Sequence, residues 1–207
     1  MRIVNQAYVD SILNYALNIY HYGSFVYGTF QPGKSDYDFI VIVPNHMSFF
    51  EEHQFECDNQ QYTIHTEKNW QEMLDRCDVD AIESYFLPAE YIVKESKKFH
   101  ANITKEKIRN SFSAVASNSF VKCKKKLEVA ESFDPNVGRK SLWHSLRIID
   151  FGIQILEYGR IVNYDSMNHL YDDIVLSDST DWEYFKLKYK PIYNKLKTQF
   201  RACEREV

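Results

Sequence analysis

Residues 22–43, YGSFVYGTFQPGKSDYDFIVIV, decide the fold. The second half, DYDFIVIV (36–43), is β-branched and aromatic almost throughout and stops at Pro44, which predicts a strand. In the first half, Tyr20–Tyr22 read as a short strand ending at Gly23-Ser24. Ser24 is then expected to N-cap a short helical turn through Phe25, Val26 and Tyr27. Gly28 stops that turn, and Phe30–Ser35, with Pro32-Gly33, forms a loop. Gly23 removes a side chain where a ligand would approach the backbone. Ser24 offers a hydroxyl at a helix start, where free N–H groups and the helix dipole favour a phosphate. Asp36 and Asp38 are two apart, so on a strand both carboxylates leave the same face. Two such carboxylates repel unless a cation lies between them. Mg²⁺, or Mn²⁺ in its place, is the natural partner: a hard ion satisfied by one or two carboxylates plus water and substrate phosphates.

Outward from this stretch the pattern is α/β and then helical. Residues 6–19 carry Val9, Ile12, Leu13, Ala16 and Leu17 at helical spacing. HQFEC (53–57) and QYTIHT (61–66) flank the turn-rich Asp58-Asn59-Gln60 and predict an antiparallel hairpin. Thr66 opens a helix to about Asp75, a second covers Asp80–Phe86, and EYIV (90–93) reads as a last strand. Thr104–Val129 predicts one long helix that Asp134-Pro135-Asn136 breaks. Lys140–Tyr158 is another, closed by Gly159. Asp165–Val175 and Trp182–Glu204 complete a helical half, with Pro191 expected to kink the last helix. The fold class is therefore α/β (α+β), a small mixed β-sheet domain over residues 1–100 followed by a helical domain over 101–207. The boundary falls near 95–104.

Taken together, strand, Gly-Ser, short turn, Gly-Thr, loop, Ser-Asp-x-Asp and apolar strand resemble the DNA-polymerase-β-like nucleotidyltransferase superfamily. YTIHTEKNWQEML to IESYFLPAEYIV (62–93) and KSLWHSLRIIDFGIQILEYGRI (140–161) are similar to a small phage- and bacterial-type group within it. The resemblance implies a nucleotidyltransferase domain with a C-terminal helical domain. It also implies an enzyme that moves an NMP from an NTP such as ATP to an acceptor hydroxyl. Gly23 and Ser24, with Ser35 beside the acidic pair, would bind the nucleotide, and Asp36 and Asp38 would hold the metal and carry catalysis. The superfamily usually supplies a third carboxylate from the strand after the hairpin turn. Here one face of that strand carries Gln61, Thr63 and His65, none acidic, and Glu56, Asp58 or Glu67 is a substitute only if the register differs. A catalytically impaired nucleotide-binding module, or a regulator of the toxin–antitoxin kind, is the rival reading.

In the helical half, Lys140, His144 and Arg147 fall at i, i+4 and i+7 and make one polar stripe. Leu142, Leu146, Ile149, Ile153 and Leu156 are offset from it as the core-facing side. The stripe is either a solvated face or a nucleotide-binding set, since guanidinium and ammonium groups suit phosphate oxygens. The run KCKKK (122–126) reads as a helix end complementing its dipole or as a nucleic-acid contact. His65 reads as a locally bonded strand residue or an acceptor-binding group. Tyr37 is expected on the opposite, core side of the sheet.

Composition bounds these readings. The 207 residues include 44% hydrophobic, 15% aromatic and 26% charged, a globular profile and not a disordered one. The net charge of −4 divides into −8 over residues 1–103 and +4 over 104–207. No apolar run is long enough for a membrane span, and the scattered Cys57, Cys77, Cys123 and Cys203 contain no C-x-x-C pair. A cytoplasmic protein with reduced thiols is expected. An RNA end, a protein hydroxyl and a small molecule all stay open as acceptors.

Overall fold

The computed structural model describes residues 2–50 and 54–203. The chain forms two compact units, Met1–Asn102 and Ile103–Val207. The first is α/β. Among its described residues β1 (Arg2–Ile3), β2 (Asn18–Tyr22), β3 (Tyr37–Val43), β4 (Gln54–Cys57), β5 (Gln60–Thr66) and β6 (Ile92–Glu95) make one sheet. The strand order is β1-β4-β5-β3-β2-β6. The sheet is mixed: β3 runs antiparallel to β2 and parallel to β5.

Ile40, Val41, Ile42 and Val43 are all buried, so β3 is covered on both faces and explains its unbroken apolar run. Val41 and Val43, with Phe55, Tyr62 and Ile64, pack against Val9 and Ile12 of helix α1 (Gln6–Leu13). Each such side chain contributes about 1.5–3 kcal/mol through its burial. The alternation of a pleated strand sends their neighbours the other way. Tyr22, Asp38, Gln61 and Glu56 consequently lie in one cross-strand row on the opposite face.

The helix expected over 6–19 ends at Leu13. The Leu17 N–H donates to the Ile42 carbonyl at 2.7 Å, so the chain has already joined the sheet, and β2 begins at Asn18 and not at Tyr20. Pairing with β3 thus overrides a helical period that is visible in isolation. The last strand is also displaced, to Ile92–Glu95, because Ala89–Tyr91 forms a 3₁₀ turn. β1 is two residues long, too short to show any period. The hairpin expected from 53–57 and 61–66 is present as β4 and β5, with Asp58 and Asn59 at positive φ in its turn; His53 lies outside the described residues. Helices α3 (Glu67–Arg76) and α4 (Val79–Tyr85) follow, and Thr66 caps α3 by accepting from the Asn69 N–H.

The second unit is helical: α5 (Lys105–Glu128), α6 (Pro135–Tyr158), α7 (Tyr171–Val175) and α8 (Trp182–Ala202). α5 ends at Glu128, before Asp134-Pro135-Asn136, and that run starts α6 at Pro135 and not at the expected Lys140. The Asp134 carboxylate accepts from the Val137 N–H at 3.1 Å, and Pro135 occupies the first turn, where its missing N–H costs nothing. The helix expected over 165–175 shrinks to a 3₁₀ turn, Asn168–Leu170, and the short α7. α8 runs on through Pro191. α6 is the central element, packing on α5, α7 and α8. A Cβ on Gly152 would stand 2.6 Å from the Phe200 ring, so this glycine is what allows α8 to approach α6. No helix among the described residues is long and apolar enough to cross a membrane.

Candidate active site

β2 passes directly into the four-residue helix α2 (Gly23–Val26). Gly23 sits at φ +67, a region L side chains rarely adopt. A Cβ there would also lie 2.1 Å from the Asp38 Oδ2, so the carboxylate occupies the place a side chain would take. The Asp38 partner across the ladder is Tyr22, which puts the carboxylate beside the start of the turn. Ser24 does not cap this turn. Tyr22 holds the N-cap position, with no side-chain cap bond, and Ser24 lies inside the helix, its carbonyl accepting from the Thr29 N–H at 3.0 Å. The reason is the left-handed Gly23, which starts the turn two residues earlier than a Ser24 cap would. From behind, the Tyr27 hydroxyl donates to Glu83 at 2.5 Å; Glu83 is 1% exposed and fastens the turn to α4.

The loop to β3 is held by its own bonds. The Gln31 carbonyl accepts from the N–H groups of Lys34 and Ser35, and the Ser35 hydroxyl accepts from the Gln31 N–H at 3.1 Å. Asp36 precedes β3, and its Oδ2 accepts from the Gln61 carboxamide at 2.7 Å. Gln61 in turn pairs with Asp38 across β3 and β5, so one neutral amide stands beside both carboxylates. A cavity of about 240 Å³ opens here, lined by Tyr22, Gly23, Asp38, Gln54, Gln61 and Thr63 among others. Among the described residues no group of three or more His, Cys, Asp or Glu side chains is placed to share a metal ion. The register places Gln61, and not an acidic side chain, opposite Asp38. Of the substitutes, Glu67 is ion-paired with Lys97 and Asp58 is exposed in the hairpin turn, while Glu56 shares the row of Asp38 and Gln61 one strand further out.

A family model described as a nucleotidyltransferase domain matches residues 8–115, just over half of the chain. The chain belongs to the nucleotidyltransferase family. The match agrees with the DNA-polymerase-β-like resemblance of residues 22–43 and spans every element that shapes the cavity. No curated protein matches the sequence at a significant level.

The other expected site residues of this nucleotidyltransferase-family chain lie in its helical unit. Lys140 is exposed, His144 partly buried and Arg147 only 1% exposed. The three therefore do not form a solvated stripe. The Arg147 guanidinium packs 4.8 Å from the Phe151 ring centre and 5.5 Å from that of Trp143, and its Nη2 lies 3.0 Å from His144 Nδ1. Burial, then the charges of Arg147 and Lys122, push the His144 imidazole down to about 3, so it is neutral and accepts this bond. His65 is buried, with Nδ1 3.1 Å from Asn69 Oδ1 and its ring against Trp70. Burial raises the nearby Asp80 carboxyl, and His65 opposes that shift. Tyr37 joins Phe25, Phe30 and His21 in an aromatic cluster, and burial lowers the His21 imidazole. Tyr22, Gln54 and Glu83 were not singled out by sequence. Only a known register could have drawn Tyr22 and Gln54 to Asp38, and nothing local marks Glu83 as buried.

Proposed function

We propose that the chain is a Mg²⁺-dependent nucleotidyltransferase that moves an NMP from an NTP, ATP among them, to an acceptor hydroxyl. One observation carries this reading: within a segment of the nucleotidyltransferase family, the Asp38 carboxylate fills the space left by a left-handed Gly23 at the head of a turn. That apposition sets a carboxylate against the backbone at one strand end, with Ser24 the next residue along the turn. The acceptor oxygen bonds to the α-phosphorus as the bond from that phosphorus to the bridging oxygen breaks. Pyrophosphate leaves with the electron pair, and the acceptor proton passes to solvent.

Asp36 and Asp38 would hold the ion, with Mn²⁺ as a substitute. Two carboxylates and a neutral carboxamide at Gln61 fit one hard divalent cation, because its two charges balance theirs. When bound, such an ion neutralises phosphate oxygens and the leaving pyrophosphate. Gly23 leaves room for the Asp38 carboxylate, its backbone with the Ser24 and Ser35 hydroxyls would bind the terminal phosphates, and Gln61 steadies the Asp36 carboxylate. The domain over 1–100 supplies this chemistry. In the helical domain over 101–207, Arg147 and its neutral partner His144 belong to the core, and Lys140 is the exposed cation of the three. Four free cysteines fit a cytoplasmic setting.

A second reading, a nucleotide-binding module or toxin–antitoxin-type regulator with impaired catalysis, is favoured specifically by Gln61. The amide cannot accept the acceptor's proton as a carboxylate would. Incubation with α-labelled NTP, Mg²⁺ and pooled RNA, protein lysate or small solutes separates the readings. Label transferred to one pool by wild type and not by Asp38→Ala supports the enzyme and identifies the acceptor. Metal-dependent NTP binding without transfer supports the module. Absence of both would overturn the two readings together.

A further inference from the structure

β2 and β6, with α3, α4 and residues 98–100, surround a second cavity of about 350 Å³ on the first unit. Its floor is the stacked pair Tyr20 and Trp70, ring centres 6.0 Å apart. Tyr85 and Phe99 add two more rings, and Tyr85 is 42% exposed. Glu95 lines the cavity too, and its carboxylate is ion-paired with Lys98, which also lines it. Tyr20 shares the sheet face of Tyr22, two residues along β2, so the cavity begins about 7 Å along the strand from the row containing Asp38.

We propose that this cavity binds a nucleobase bearing an exocyclic amine beside a ring nitrogen, as adenine and cytosine do. Aromatic rings on several sides favour a flat ring, since stacking on aromatic side chains is the general way proteins hold unpaired bases. The volume admits one nucleoside. Lys98, the cation lining it, is already paired with Glu95, and residues 1–103 carry a net charge of −8, so a single base suits it better than a polyanionic strand. The polar groups specify the edge. The Tyr20 hydroxyl accepts from Asn18 Nδ2 at 2.6 Å, and its own proton has no acceptor among the described residues. Burial, together with the Glu95 carboxylate and against the Asn18 bond, keeps that phenol protonated. A donor at Tyr20 and an acceptor at Glu95 match a ring nitrogen and an adjacent amine, the pattern that distinguishes adenine from hypoxanthine. Assigning the base to a nucleotide substrate or acceptor rests on the nucleotidyl-transfer reading.

Calorimetric titration of the full chain with adenosine in EDTA tests the cavity without transfer or metal. Adenosine should bind and inosine more weakly. Tyr85→Ala, at an exposed rim position, should weaken adenosine roughly 5–150-fold, the range for loss of one stacking contact. Glu95→Gln should abolish the preference for adenosine over inosine, because a carboxamide can accept from an amine or donate to a carbonyl. Competition between adenosine and Mg·ATP would mark the base as the substrate's, and simultaneous binding would mark it as the acceptor's; either sustains the proposal. No adenosine binding, or binding unchanged in Tyr85→Ala with circular dichroism preserved, overturns it even if transfer occurs. Adenosine binding without any transfer would leave the cavity standing and remove the enzyme reading.

Discussion

The two units place their polar residues in opposite ways. In the sheet unit Asp36 and Asp38 are partly exposed at the head of a strand, steadied by a neutral amide and set against a glycine. In the helical unit Arg147 is enclosed by Trp143 and Phe151 and bonded to a neutral imidazole. A carboxylate at a strand end can be replaced with little loss of packing, whereas a buried guanidinium is part of the core as well as a charge. Substitutions in the first unit should therefore remove activity before stability, and substitutions in the second should do the reverse.

The largest effect is expected at Gly23 and Asp38. Asp36→Ala or Asp38→Ala should lower transfer about 10²–10³-fold while the melting temperature holds, as for loss of other transition-state electrostatics. Gly23→Ala should do comparable damage with both carboxylates still present, because the new Cβ must displace the Asp38 Oδ2. A Gly23→Ala protein with wild-type transfer rates would break the argument that this apposition matters.

Arg147→Ala should destabilise the fold by roughly 2–5 kcal/mol in chemical denaturation, the range for truncating a large buried side chain. Arg147→Lys should recover part of that packing but not the planar stacking. If Arg147→Ala unfolds at the wild-type midpoint, the contrast between the units fails. Gly152→Ala sharpens the same point without any charge: it should cost about 1–3 kcal/mol by overpacking against Phe200.

His144 links the helical core to pH. Its folded value, about 3, lies below the ordinary one near 6.5, so the unfolded chain binds the proton more readily. The stability held by neutral His144 is complete above about pH 6.5 and is lost as pH falls toward 3, by up to about 1.4 kcal/mol per pH unit. His144→Gln should flatten the acid limb of the denaturation midpoint against pH; an unchanged limb would contradict a buried neutral imidazole. The smallest effect belongs to Ser24. Ser24→Ala should weaken metal-dependent NTP binding by about 1 kcal/mol, the value of one neutral hydrogen bond. Equal affinities would remove its hydroxyl from the nucleotide site.

Sequence alone marked a strand within DYDFIVIV, a glycine turn before it, the two-carboxylate spacing and a mixed sheet followed by a helical region. These are features of local chemistry: β-branched runs, glycine at a turn and period-two alternation act over a few residues and remain visible in one dimension. Other features depended on partners far along the chain. The end of α1 at Leu13 was set by the pairing of β2 with β3, and the position of Gln61 beside Asp36 and Asp38 by the parallel register of β3 and β5. The same i, i+4, i+7 stripe that on a lone helix reads as either a solvated face or a nucleotide-binding set carries Arg147 into the core, because α6 is packed by α5, α7 and α8. A helical period gives each side chain its direction around one axis, and only tertiary packing decides how many of those directions meet water.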